Sequence, residues 1–293
     1  MESGQKTSNA PTGDVDGLRA GLHTMWGAVA PGWEQNADFV DRRGGALTAA
    51  MLDAVSLKSG ERVLELACGP GGLGMEAAEL VAPDGEVVLS DIAPQMTAIA
   101  AERAQARGLT NVNTRELDLE AIDEPDETYD AVLSREGIML VPEPARAAGE
   151  IHRVLRPGGR ASVSVWGPRE RNPWLTAMLE AIGAQLGGTF PPPGMPGPLS
   201  LGEDGKLRAA LFDGGFADAE IREVEVPWRG ADFEDWWQRT TALAGPVAKL
   251  LEAQPTEAVD AIRAHAREAL SAYETKDGLE IPGVTLVGTA RRA

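Results

Sequence analysis

At 293 residues the chain has room for one large domain, or for one domain with a smaller addition. Its 43% apolar and 25% charged content is that of a globular protein in water, and a formal charge of −18 excludes the basic surface that a nucleic-acid partner demands. The single cysteine, Cys68, excludes a disulfide framework and a cysteine-based zinc site.

No run reaches the roughly 18 apolar residues of a membrane span, and the N-terminus lacks the basic-then-apolar order of a signal peptide. A cytoplasmic protein is expected. Residues 1–17, rich in Ser, Thr, Gly, Asn and Asp, are expected to be a disordered tail. Leu18 to Leu52 predicts helix in pieces, broken at Pro31-Gly32 and Gly44-Gly45, and 18–58 as a whole predicts an N-terminal helical lid. A short buried strand follows at Arg62–Leu66. The run Cys68-Gly69-Pro70-Gly71-Gly72-Leu73-Gly74 then predicts a tight turn into a helix from Met75 to Val81. Glycines let the backbone approach a ligand closely, and a helix start presents free N–H groups.

A second strand is expected at Glu86–Ser90, ending on Asp91. The next helix starts at Pro94 and ends near Gly108. Val112–Leu117 is a third strand, ending on Asp118, and Tyr129–Ser134 is a fourth. A helix over Pro142–Leu155 stops at Pro157-Gly158-Gly159, before a fifth strand at Arg160–Trp166. This alternation predicts a parallel sheet flanked by helices, with the ligand beyond the C-terminal ends of the strands. Asn172–Leu186 and Asp204–Phe212 are expected helices on either side of an irregular, Pro/Gly-rich loop at 187–203. A strand at Glu220–Val226, helix over Ala231–Tyr273 broken near Gly245-Pro246 and Pro255, and a last strand at Gly283–Ala290 follow. The domain division is a 59–230 core, a 231–274 helical lid insertion placed to roof the site, and 275–293 as the final strand of the core.

Gly69, Gly71 and Gly74 also fit the dinucleotide fingerprint G-x-G-x-x-G, a weak match by itself. Three acids point elsewhere. Glu65, inside the end of the first strand, suits an α-ammonium group and not a pyrophosphate. Asp91 suits a pair of ribose hydroxyls, and Asp118 suits an adenine amino group. A nucleoside carrying an amino acid and no phosphate is S-adenosyl-L-methionine.

The same residues resemble a family. Glu65-Leu66-Ala67-Cys68-Gly69-Pro70-Gly71 looks like motif I of class I S-adenosylmethionine-dependent methyltransferases. Asp91-Ile92-Ala93-Pro94-Gln95-Met96 resembles their ribose turn, Asp118-Leu119-Glu120 their adenine turn, and Arg153-Val154-Leu155-Arg156-Pro157-Gly158-Gly159 the turn before strand five. The likeness covers about residues 60–166 and is nearest to the ubiquinone/menaquinone-biosynthesis type. It implies a Rossmann-like, seven-stranded α/β sheet, mostly parallel, whose last strand is antiparallel. It also implies that Glu65 and the backbone of Gly69 and Gly71 hold the methionine end, and that Asp91 takes the ribose. Ile92 and Met96 would pack the adenine faces, Asp118 and the Leu119 N–H would read the adenine edge, and the Ser134 carbonyl would accept from the ammonium. S-adenosyl-L-homocysteine is then the product.

Every tryptophan and phenylalanine lies outside residues 41–165. Trp26, Trp33, Trp166 and Trp236 are expected to wall an apolar or aromatic acceptor pocket, though packing of lid helices explains such residues equally well. His23 and Glu136 are the candidate bases. No His/Cys/carboxylate cluster has metal-ligand spacing. The expected activity is methyl transfer to a small acceptor, with O- or C-methylation favoured and no nucleic-acid or membrane partner. A cyclase or lyase on the same fold is the alternative. A NAD-dependent oxidoreductase is disfavoured by Glu65 and the Pro157-Gly158-Gly159 turn.

Overall fold

The computed structural model describes residues 15–192, 195–203 and 205–293. Most of the tail expected at 1–17 lies outside the described residues. Residues 15–17 already belong to helix α1, Val15–Val55. Then follow β1 (Arg62–Leu66), α2 (Gly72–Val81), β2 (Glu86–Asp91), α3 (Pro94–Ala106), β3 (Val112–Glu116) and β4 (Tyr129–Arg135). Helix α4 (Pro144–Val154), β5 (Leu155–Trp166), α5 (Pro173–Leu186), α6 (Lys206–Asp213) and β6 (Glu220–Glu225) come next. The chain continues through β7 (Trp228–Gly230), α7 (Phe233–Leu243), α8 (Gly245–Glu252) and α9 (Thr256–Leu270), and finishes with β8 (Glu274–Thr275), β9 (Gly278–Ile281) and β10 (Val284–Arg291).

Seven strands form one sheet in the order β3-β2-β1-β4-β5-β10-β6. All neighbours are parallel except β10, which runs antiparallel to both β5 and β6. Strand β1 is an interior strand between β2 and β4, with Val63, Leu64 and Leu66 fully buried. Burial on both faces explains why its sequence is nearly continuous in apolar residues and does not alternate. Arg153, from the turn motif before β5, clamps the preceding loop: it donates to the Ile122 carbonyl at 2.7 Å, the Glu124 carbonyl at 2.8 Å and Asp126 Oδ1 at 2.7 Å.

Two sequence expectations need correction. The N-terminal segment is one helix of 41 residues, with Pro31 inside it, and is not broken at either glycine pair. Gly32 and Gly44 are contact points. A Cβ on Gly32 would lie 2.4 Å from the Ala242 carbonyl oxygen, and one on Gly44 would lie 3.0 Å from Arg135 Nη1. Pro31 removes a single helical hydrogen bond, and packing against α3, α7, α8, β5, β6 and β10 carries the helix through that loss. The second correction concerns the late insertion. A small antiparallel sheet, β7-β9-β8, brackets α7–α9, pairing Trp228 with Ile281 and Glu274 with Leu279. Its strands of two to four residues are too short to show alternation.

Candidate cofactor cleft and acceptor cavity

The chain leaves β1 through a reversal in which Ala67, Gly69 and Gly71 have φ of 51°, 51° and 81°. Glycine suits the left-handed region because it has no Cβ to clash. The turn is tied to the next strand at three points. Cys68 N donates to the Ser90 carbonyl at 2.8 Å, Gly69 N to Asp91 Oδ2 at 2.9 Å, and Ser90 Oγ to the Glu65 carbonyl at 2.7 Å. Asp91 Oδ1 accepts from Ala93 N at 3.0 Å. Glu65 Oε2 accepts from Gly74 N at 2.8 Å. Asp118 Oδ1 accepts from Glu120 N at 2.8 Å. Each acid is thus held by backbone N–H groups, and each carboxylate keeps lone pairs for a further partner.

Glu65, Gly69, Asp91, Ile92, Met96, Asp118 and Leu119 line one cleft at the C-terminal ends of β1, β2 and β3. Gly71 stands behind it, as the left-handed residue before α2. Ser134 does not line the cleft: it is fully buried, β4 runs one residue further than the sequence suggested, and Arg135, Glu136 and Gly137 form that wall. Burial pushes the Glu65 carboxyl up to about 8, against the pull of Arg135 and of the Gly74 N–H. Burial also raises Asp91, opposed by its backbone donors.

The cleft adjoins a larger cavity of about 530 Å³. Leu22, Trp26, Trp33, Val40, Arg135 and Glu136 face both spaces. The larger one is walled by α1, by Trp166 and Trp174, and by the 187–203 loop, through Phe190 and Met195. Ser200 Oγ and Gly197 N fasten that loop to the Met139 carbonyl at 2.7 and 3.2 Å. Trp33 Nε1 donates to the Leu243 carbonyl at 3.1 Å and fixes α1 to the insertion.

Of the expected acceptor-side residues, Trp26, Trp33, Trp166 and Glu136 line this cavity. Trp236 does not. It is fully buried, donates from Nε1 to the Trp174 carbonyl at 2.9 Å, and packs with Phe233 and Trp237. His23 lines neither space; its half-exposed ring lies 3.8 Å from Glu116 Oε1. Glu136 has φ of 60°, rare for a residue with a side chain. Its N–H donates to the Ser164 carbonyl at 3.0 Å and to Ser164 Oγ at 3.1 Å, which holds this conformation and aims the carboxylate between the two spaces. Desolvation pushes its carboxyl up to about 7, opposed by Arg43, Arg135 and the Thr285 hydroxyl.

Sequence reasoning missed Arg43. Phe39, Arg43 and Leu47 are spaced four apart on α1 and all face the cavity. A basic residue inside an apolar stripe at helical spacing was the available signal.

The sheet order, the antiparallel β10 and the three acids around the glycine turn define a class I S-adenosylmethionine-dependent methyltransferase domain. Residues 57–181 match a family model described as a methyltransferase domain. The demethylmenaquinone methyltransferase of Thermus thermophilus is 36% identical over 146 residues, which cover 47% of this chain and 66% of that protein. The ubiquinone/menaquinone biosynthesis C-methyltransferase UbiE of Pasteurella multocida is 36% identical over 113 residues, covering 38% of this chain and 42% of that protein. The matched stretch therefore spans less than two thirds of these relatives. The YcgJ protein of Bacillus subtilis shares the fold, with a TM-score of 0.58 at 17% identity over 84% of this chain and 98% of that one. The chain carries a class I methyltransferase domain related to UbiE. Among the described residues, no helix is long and apolar enough to cross a membrane.

Proposed function

We propose that the chain transfers a methyl group from S-adenosylmethionine to a small apolar or aromatic acceptor held in the 530 Å³ cavity. The observation that carries this reading is the shared wall: the acid-lined cleft and the apolar cavity adjoin at Glu136. Glu65 and the Gly69 backbone hold the methionine end, with Gly71 shaping the turn behind them; Asp91 holds the ribose, Ile92 and Met96 the adenine faces, and Asp118 with Leu119 the adenine edge. The wall residues Arg135, Glu136 and Gly137 take the place first assigned to Ser134. The cofactor supplies an electrophilic methyl on a sulfonium. The protein supplies alignment and exclusion of water. Where the acceptor must lose a proton, Glu136 takes it up; O- or C-methylation fits that role. An acceptor related to a quinone precursor agrees with the relatives' names.

Transfer of label from methyl-labelled S-adenosylmethionine to members of a hydroxylated aromatic panel tests the activity. A cyclase on this fold would convert an acceptor without incorporating label, and that outcome would replace the transfer reading. Glu136→Gln is expected to lower the transfer rate by about 10²–10⁴-fold at saturating cofactor, the range for a lost general base. The wild-type rate is expected to rise with pH through about 7, as Glu136 ionises. A Gln variant at full rate removes Glu136 as the base.

Cofactor binding is expected to release protons. A Glu65 carboxyl raised to about 8 is mostly protonated at pH 7 in the free protein. An ammonium group placed beside it favours the carboxylate, so net proton release, up to about one per cofactor bound, is expected at that pH. Calorimetry in buffers of different ionisation enthalpy measures the number. Zero release would place the ammonium away from Glu65.

A further inference from the structure

Four charged side chains face the acceptor cavity among the described residues: Arg43, Arg135, Glu136 and Arg239. Two of the arginines have a carboxylate partner within the protein, Asp41 being shared between Arg135 and Arg103. Arg135 donates to Thr48 Oγ1 at 2.9 Å and pairs with Asp41 at 3.4 Å. Arg239 donates to Asp235 Oδ1 at 2.6 Å and to Asn36 Oδ1 at 2.9 Å. Arg43 has no such partner. Its guanidinium lies 3.8 Å over the ring of Trp174 and 4.9 Å from the centre of Trp166. One long bond, 3.4 Å, runs from Nη2 to the Val226 carbonyl, and the buried Nε has no acceptor. Glu136 acts on it through space, without ion-pair contact.

Such a group is costly to retain. A half-buried cation with an unmatched buried donor loses hydration that stacking and one long bond restore only in part. Desolvation lowers Arg43 only to about 10, so it stays charged near neutral pH. Stacking on two tryptophans fixes the plane of the fork and leaves its N–H edge to donate. A planar fork with an open edge matches a carboxylate or a similar oxyanion. The rest of the wall, including Trp26, Trp33 and Leu175, matches an apolar body.

We propose that Arg43 anchors an anionic oxygen of the acceptor, which makes the substrate class a flat, apolar molecule bearing a carboxylate or an ionised phenol or enol. The inference rests on the proposed acceptor role of the cavity. Arg43 is then a specificity residue. It fixes which end of the acceptor lies deep in the cavity and so which atom is presented at Glu136.

The test is a set of titrations at pH 7.5 on the full chain saturated with S-adenosylhomocysteine. The probes are 2-naphthoate, 2-naphthol and the neutral 2-naphthamide; ionisation of bound naphthol is read from its near-ultraviolet absorption. The wild type is expected to bind naphthoate, or naphthol as the anion, at least tenfold more tightly than naphthamide, and whichever does so identifies the oxyanion. Arg43→Gln is expected to erase that preference while S-adenosylhomocysteine binds as before. Equal affinity for all three probes, or no binding of any, overturns the proposal in the wild type alone, whether or not the variant folds. So does a preference that survives Arg43→Gln. Failure of S-adenosylhomocysteine itself to bind the wild type strikes the proposed function instead, which keeps the two failures distinct.

Discussion

Asp91→Asn is expected to weaken S-adenosylmethionine binding by about 2–3 kcal/mol, on the order of 30- to 150-fold, since hydrogen bonds to charged groups are worth about 1.5–3 kcal/mol each. The substitution preserves shape, so its effect is electronic. One carboxylate oxygen already accepts from Gly69 N and the other from Ala93 N. An amide offers only one oxygen, and its NH₂ must face a backbone N–H on one side or the other. The glycine turn or the start of α3 is then left with two opposed donors. Lone pairs that would take the ribose hydroxyls are lost as well. Titration calorimetry on the variant measures the change. Unaltered affinity would remove Asp91 from the cofactor site, whatever the resemblance of its neighbours.

Gly74→Ala is expected to cost both stability and cofactor affinity. Gly74 lies in the first turn of α2, packed against β1 and β2. A Cβ there would come within 2.1 Å of Leu89 Cδ2 and 2.5 Å of Glu65 Oε2. Leu89 is fully buried, with no free space to withdraw into. Glu65 can move only by giving up the Gly74 N–H, which would leave a buried carboxyl with no backbone donor. Overpacking of this kind costs about 1–3 kcal/mol, and the lost bond adds about 1 kcal/mol. In thermal unfolding that is a drop on the order of 5–10 °C. Cofactor affinity should fall with it, because the side chain displaced is the one assigned to the ammonium. A variant with unchanged melting temperature and affinity would show that α2 can move away from β1, contrary to the packing described here.

These effects explain why the cofactor half of the site was legible in the sequence. A strand buried on both faces, a glycine turn and an acid at each of three strand ends are local features. Each is set by residues adjacent in the chain, and their order fixes the topology. The acceptor half depends on residues brought together from far apart. Gly32 and Gly44 looked like helix breaks because the surfaces they press against, Ala242 and Arg135, are distant in sequence. Trp236 and Trp166 look alike as residues. One turned into the helical insertion and the other faced the cavity, which nothing in their neighbours distinguishes. His23 sits one residue from Leu22 and three from Trp26, both in the wall, yet points to Glu116. Arg43 had a signal, its place in an apolar stripe. Its meaning depended on Trp166 and Trp174 arriving beneath it.

The insertion after β7 illustrates the same division. Its helices carry aromatic residues largely for their own packing: Arg267 lies 4.1 Å over Phe233, and Arg263 and Arg267 both pair with Glu234. Its contribution to the cavity comes through a few positions, among them Arg239, Leu243 and Val247. The Trp33–Leu243 and Arg239–Asn36 bonds join these helices to α1, so the two walls of the cavity are held together.

The central claim is that the three acids around the glycine turn select an adenosyl amino acid. Its most direct test is calorimetric titration of the purified chain with S-adenosylmethionine, S-adenosylhomocysteine and NAD. Saturable binding of both adenosyl ligands, with proton release for each at pH 7 and no heat from NAD, is the result expected. Binding of NAD with neither adenosyl ligand bound would contradict it, and would assign the Gly69–Gly74 turn to a pyrophosphate.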